Sequence, residues 1–366
     1  MSKNQKNYKI ILKTHAPVHI GSDKSIGKKE YILTSNKQAK IINLEKLAML
    51  IAQKKLFSKY EYYMCEERFL GLGDWLTKNG ISTSEIDSIT DYTLDCSNAE
   101  TSGKREIKTF IKNAYGEPYI PGSSMKGCLR TILMGYYAEK EPDKYAGIKN
   151  KIRHSDLKGS TKWILKDESN QLEYITYYTA NRKNDKPKDR TNAVNDIMAG
   201  IIIGDSEPIK TNKLILCQKC DLRTDQEYVK QSVFYECIAP ETIIALPLTI
   251  NSSLCNITAD EIKEAVKQFA ESYYQNFISR FKLPHYRYLN TIWLGGNVGF
   301  ANKTVIYNLF GKNGGVVQAS RILTAQGHYK NQYDTALKAS PHTINMARYN
   351  GNEYHMGECT ITIKEI

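Results

Sequence analysis

The stretch Tyr119-Ile-Pro-Gly-Ser-Ser-Met-Lys-Gly-Cys-Leu-Arg-Thr-Ile-Leu133 sets a Pro-Gly turn and two serines directly before an apolar helical run. Met125, Cys128, Leu129, Ile132 and Leu133 recur at helical spacing, which predicts a helix over 125–138 with one buried face. Lys126 and Arg130 stand four residues apart and share another face of that helix. Small residues at Gly122, Ser123 and Ser124 allow a partner close to the backbone. The unpaired N–H groups of a first helical turn, the positive end of the helix dipole and two cations together favour an anion. The polyanion that suits such a site is a nucleic-acid backbone.

Charge agrees. The chain has 366 residues and a formal net charge of +12. Residues 101–200 hold 19 Lys/Arg against 12 Asp/Glu, a surplus of 7, whereas 201–300 hold 10 against 11. The basic surplus thus sits around the quoted stretch, as in a nucleic-acid binder. A charged run at 181–192 has too few apolar residues to build a core and reads as a loop. No apolar run approaches a membrane span, and the first residues lack the apolar stretch of a signal peptide, so a cytoplasmic chain is expected. Cys217-Gln-Lys-Cys220 has half the spacing of a zinc site, but only Cys237 and His285 are at hand to complete it, so thiols packed in and beside a strand are the better reading.

Working outward, residues 8–14 alternate as a strand, 31–33 and 39–42 form a hairpin, and 44–55 and 60–78 are helical, the latter broken near Gly71 and Gly73. Strands return at 201–205, 214–220, 233–238 and 242–250. The capping box at Thr258 and Glu261 starts a helix running to about Phe281, with Ile262, Val266, Phe269, Tyr273 and Phe277 as its core stripe. A strand over 290–295 ends in the loop Gly295-Gly-Asn-Val-Gly299, and 358–363 alternates as a terminal strand.

The pattern I-P-G-S-S-x-K-G-x-x-R resembles the signature of the RAMP superfamily, the repeat-associated proteins of CRISPR ribonucleoproteins. Leu12-Lys-Thr-His-Ala-Pro-Val-His-Ile-Gly-Ser22 resembles the first strand and glycine turn of that superfamily. Trp293-Leu-Gly-Gly-Asn-Val-Gly-Phe-Ala-Asn-Lys-Thr304 resembles its C-terminal glycine-rich loop, and the segments around Gly204-Asp205-Ser206 and 235–242 resemble its central strands. Order, spacing and length are most similar to the fifth-subunit family of type III-A (Csm) effector complexes. The resemblance implies an α+β fold of two ferredoxin-like (RRM-like) domains with insertions. The first would span 1–196, with the signature helix and a polar insertion, and the second 197–366, with the glycine-rich loop.

It also implies a non-catalytic subunit that binds crRNA, caps the 3′ end of the backbone filament and supports crRNA maturation in antiviral defence. Its partners would be the repeated backbone subunit and the small helical subunit of the Csm complex, and host nucleases acting on the 3′ tail. No cofactor is expected. The residues placed on RNA are His19, Gly122, Ser123, Ser124, Lys126, Arg130, Gly295, Gly296, Asn297, Gly299 and Lys303. The alternative is a metal-independent RNA endonuclease processing CRISPR RNA with His15 or His19 as acid or base, although spacing sets no partner for either. A third reading, the target-cutting backbone subunit, fits less well because those chains are shorter.

Overall fold

The computed structural model describes residues 4–67, 69–96, 106–180, 191–283 and 289–366. With strands numbered along the chain, β1 (Gln5–Thr14) lies between β10 (Ile243–Asn251) and β14 (Glu358–Glu365), antiparallel to both. Two short strands, β7 (Ile201–Ile203) and β11 (Thr291–Trp293), close the edges of this five-stranded sheet. Alternation buries Tyr8, Ile10, Leu12 and Thr14 of β1, as the period of two requires. Register sets Ile10 opposite Leu246 and Ile363, and Leu12 opposite Ile244 and Ile361, so all six meet on one face. Helices Gly122–Lys140 and Ala259–Asn276 supply the other half of that core through Met125, Leu129 and Leu133 and through Ile262, Val266 and Phe269. The helix at 259 begins where the capping box predicts, with the Thr258 hydroxyl accepting from the Glu261 N–H at 3.1 Å. It stops at Asn276, short of 281, because Phe277 leaves helical geometry and Ile278–Phe281 tightens into a 3₁₀ turn.

The second sheet has nine strands. Along its main path run β2 (Gly21–Ile26), β6 (Glu106–Phe110), β9 (Tyr228–Ile238), β8 (Leu214–Arg223), β5 (Thr90–Asp95), β4 (Gln38–Ile42) and β3 (Tyr31–Leu33). The hairpin of β12 (Thr343–Tyr349) and β13 (Asn352–His355) joins through β8. Both sheets take strands from each side of residue 196, so the division expected between 196 and 197 does not fall between sheets. Four short helices between β4 and β5 pack around Leu47, Tyr63, Leu72, Trp75 and Leu76 as a satellite core. Further helices among the described residues include Ala146–His154, Lys166–Tyr177 and Ile306–Ala325, the last broken at Gly311. Most of the charged run, 181–190, lies outside the described residues, as does His285. Cys217 packs with Cys237, Ala347 and Met356, whereas Cys220 packs with Leu222, Ile344 and Met346. The two thiols therefore enter different cores and do not share a ligand position.

Candidate nucleic-acid interface

The Pro-Gly turn is locked from inside the protein. Asp205 lies just after β7 and accepts the Gly122 N–H at 2.8 Å, while the Ser206 hydroxyl accepts the Ile120 N–H at 2.9 Å and the Ser206 N–H returns to the Ile120 carbonyl at 3.0 Å. A carboxylate thus already sits at the positive end of the signature helix, where capping and dipole both favour it. Gly122 is buried, and a Cβ there would come within 2.1 Å of the Ile203 carbonyl. The glycine serves close packing of helix on strand, and the expected approach of an outside partner to Gly122 is corrected on that ground.

Three sequence motifs do meet, however, around one cleft of 450 Å³. Ile20, Gly21 and Asp23 come from the bend after β1 and the start of β2. Ser124, Gly127, Cys128 and Thr131 come from the signature helix. Trp293, Gly295, Gly296, Val298, Asn302 and Lys303 come from β11, the glycine-rich loop and the short helix Phe300–Lys303 that follows it. Gly295 has φ +97° and a Cβ on it would meet the His19 carbonyl at 2.2 Å, so only glycine fits. The Gly296 N–H donates to that same carbonyl at 2.6 Å, clamping the loop onto the bend. The Cys128 thiol donates to the Trp293 carbonyl at 3.6 Å and ties the helix to β11. Asn297 and Gly299, with φ of 58° and 95°, turn the loop. Lys303 is exposed at the cleft.

Arg130 lies elsewhere. At about 100° per residue, the 126/130 face of the helix is turned about 130° from the stripe 124, 127, 128 and 131. Arg130 Nη1 meets Asp196 at 2.9 Å, its Nε meets Glu173 at 2.7 Å, and the guanidinium stacks 4.3 Å from the centre of the Tyr177 ring. Its charge is matched by two carboxylates from the region 139–196, which corrects the expectation that it neutralises phosphate. Lys126 is half-buried on the same side; burial holds its ammonium below the ordinary lysine pKa against the opposing pull of Asp196. Ser123 is exposed but does not line the cleft, whereas Ser124 does.

Of the two candidate histidines, His19 is buried and His15 is partly buried. His19 is 5% exposed, its Nδ1 bonds the Glu236 carbonyl at 2.7 Å, and its ring meets Tyr235 edge-on at 4.9 Å. A carbonyl only accepts, so Nδ1 carries the proton. Burial lowers the His19 pKa. The expected contact of His19 with RNA is replaced by a supporting role under the glycine loop. Glu236, fully buried, is held by Lys112 at 2.9 Å, by the Phe110 N–H at 2.8 Å and by the Tyr92 hydroxyl. His15 bonds Thr360 at 3.0 Å and approaches Glu241 at 3.6 Å, so the two imidazoles have no partner in common among these contacts.

Nine cleft residues were not among those the sequence placed on RNA: Ile20, Gly21, Asp23, Gly127, Cys128, Thr131, Trp293, Val298 and Asn302. The spacing 124, 127, 128 and 131 was a second helical stripe available to find.

Comparison with known proteins agrees with the motifs. The model of the RAMP superfamily matches residues 11–313. The Csm5 protein of the CRISPR system of Streptococcus thermophilus is 27% identical over 391 aligned residues, covering 100% of this chain and 99% of that one. Csm5 of Enterococcus italicus is 24% identical and covers 83% of this chain and 81% of its own. Among solved structures, a chain of the cryo-EM Csm–crRNA–target RNA ternary complex of a type III-A CRISPR-Cas system superposes with a TM-score of 0.66 at 17% identity, covering 97% of this chain and 100% of that chain. The crystal structure of T. onnurineus Csm5 gives 0.62 at 16% identity, covering 96% and 99%. With a family model spanning most of its length, signature helix and glycine loop included, the chain belongs to the RAMP superfamily.

Proposed function

We propose that this chain is a non-catalytic RNA-binding subunit of a type III-A effector complex, holding the 3′ portion of the crRNA where it caps the backbone filament. The observation that carries the reading is the convergence of the three family motifs on one cleft with Lys303 at it. Similarity to Csm5 proteins along the whole chain supports the same assignment. The strand–helix–strand–strand–helix–strand order around β1 fits a ferredoxin-like unit, and we read the second sheet as the other such unit, enlarged by the helices between β4 and β5. Neighbours in the complex would be the repeated backbone subunit and the small helical subunit. Support of crRNA maturation follows if the chain leaves the 3′ tail open to host nucleases. Guides differ in sequence, so most of the affinity comes from backbone and shape.

The test is native mass spectrometry and RNA cross-linking on the complex purified through a tag on this chain. One copy, cross-linked to the 3′ part of the guide, is expected; several copies, or cross-links confined to the 5′ end, would refute the cap. Incubation of the chain with repeat RNA in chelator checks the absence of catalysis. Discrete 2′,3′-cyclic phosphate ends that vanish in His15→Ala would turn the reading to an endonuclease.

A further inference from the structure

Asn302 lies in the short helix Phe300–Lys303, is only 6% exposed and lines the cleft. Its Nδ2 is shielded from solvent and has no hydrogen-bond partner. Of the other buried side-chain atoms in that condition (Asp221 Oδ1, Arg280 Nε, Thr324 Oγ1 and Ser340 Oγ), none belongs to a residue of this cleft. An unmet buried donor is costly, and each one in a folded protein calls for a partner or a role, a bound ligand being one.

The walls say which kind of ligand. Lys303 and Asp23 are the charged side chains lining the cleft, one of each sign, so its formal charge is zero. That balance gives an enclosed phosphate no reward. Ile20, Trp293 and Val298, nearly buried themselves, form an apolar floor, while Ser124, Thr131, Asp23 and Asn302 supply a polar edge. A nucleobase has the same division, with apolar faces and a polar rim. A volume of 450 Å³ has room for one nucleotide.

Resting on the cleft as the RNA site, we infer that it seats a single base of the bound strand, and that the Asn302 amide donates to an acceptor on that base's edge. Lys303 then meets a phosphate at the mouth. Backbone contacts elsewhere are indifferent to sequence, whereas this pocket senses one position.

The experiment uses the purified chain and a short fluorescein-labelled single-stranded RNA, with abasic substitutions walked one position at a time. Wild type is expected to lose about fivefold to tenfold in affinity at one position and little elsewhere. Asn302→Leu, which keeps the volume and removes the donor, should lose a similar factor on intact RNA and then be insensitive to the abasic substitution at that position. Its melting temperature without RNA should equal or exceed that of wild type, because an unmet donor is gone. A flat abasic walk on wild-type protein would overturn the proposal without recourse to any variant. So would a lowered RNA-free melting temperature for Asn302→Leu with unchanged affinity, the mark of a merely structural side chain. If Asn302→Leu binds normally while Lys303→Ala weakens binding, the base pocket is refuted and the RNA cleft survives. If both bind normally, the cleft is not the RNA site and both readings fall.

Discussion

Arg130 shows how a side chain that reads as an RNA contact becomes part of the scaffold. Its partners Glu173 and Asp196 are 43 and 66 residues away along the chain, and each member of the triad keeps a third or less of its side chain exposed. Removing the cation strands two carboxylates, so Arg130→Ala should cost about 2 kcal/mol in urea-unfolding free energy, less than a fully buried pair because water still screens it. The salt dependence of RNA binding should not change in that variant.

His355 is a different case. Its Nδ1 accepts the Trp293 indole N–H at 2.9 Å, and burial pushes its pKa down to about 3. It is neutral when folded and takes up a proton near pH 6.5 when unfolded. Protons therefore bind the unfolded chain preferentially below that pH. The stability is complete above pH 6.5 and falls with pH, by about 2 kcal/mol at pH 5 from this residue alone. Denaturant titrations of wild type and His355→Gln at pH 7 and pH 5 check it; the variant should lose this part of the pH dependence while Gln still offers an acceptor to Trp293.

Among the elements, the signature helix takes its start from β7. Pro121 precedes the first turn without side-chain capping of its own, and the cap comes from Asp205. Asp205→Ala should cost about 1 kcal/mol, the usual value of a lost N-cap, and raise amide exchange over the first turn, Gly122 in particular. Equal exchange in the two proteins would deny Asp205 this role. The helix itself was legible, because Met125, Leu129, Ile132 and Leu133 mark the core face unambiguously and all are buried. Its two remaining faces were not. Both the 126/130 pair and the 124/127/131 stripe are polar or small, and periodicity reports angles between side chains without saying what stands opposite each. The tightly packed helix Ile306–Ala325 carries glycines at 311, 314 and 315, which hide its period.

For the whole molecule, the consequence is a binding face narrower than the basic composition implies. Two of the cations in the basic region 101–200, Arg130 and Lys112, are held in internal pairs with Glu173 and Glu236. Lys303 stands at the meeting point of both sheets' motifs. Lys303→Ala should reduce the slope of log affinity against log salt by about 0.7, one phosphate's worth on a single strand, and weaken all sequences alike. Fluorescence-anisotropy titrations at several salt concentrations measure it, and an unaltered slope would remove Lys303 from the backbone path. No helix among the described residues is long and apolar enough to cross a membrane.

Local chemistry in the chain alone determined the strands that alternate, the helix that follows the Pro-Gly turn, the glycine loop and, through their order, the superfamily. These depend on residues within a few positions of one another, where spacing and side-chain type are sufficient. The tertiary structure decided which of the flagged groups face a ligand. Burial and ion pairing depend on what the chain brings back from far away: Glu236 under His19, Asp205 under Gly122, Glu173 and Asp196 around Arg130. A charge can neutralise only the partner that reaches it, and only the fold determines which partner that is.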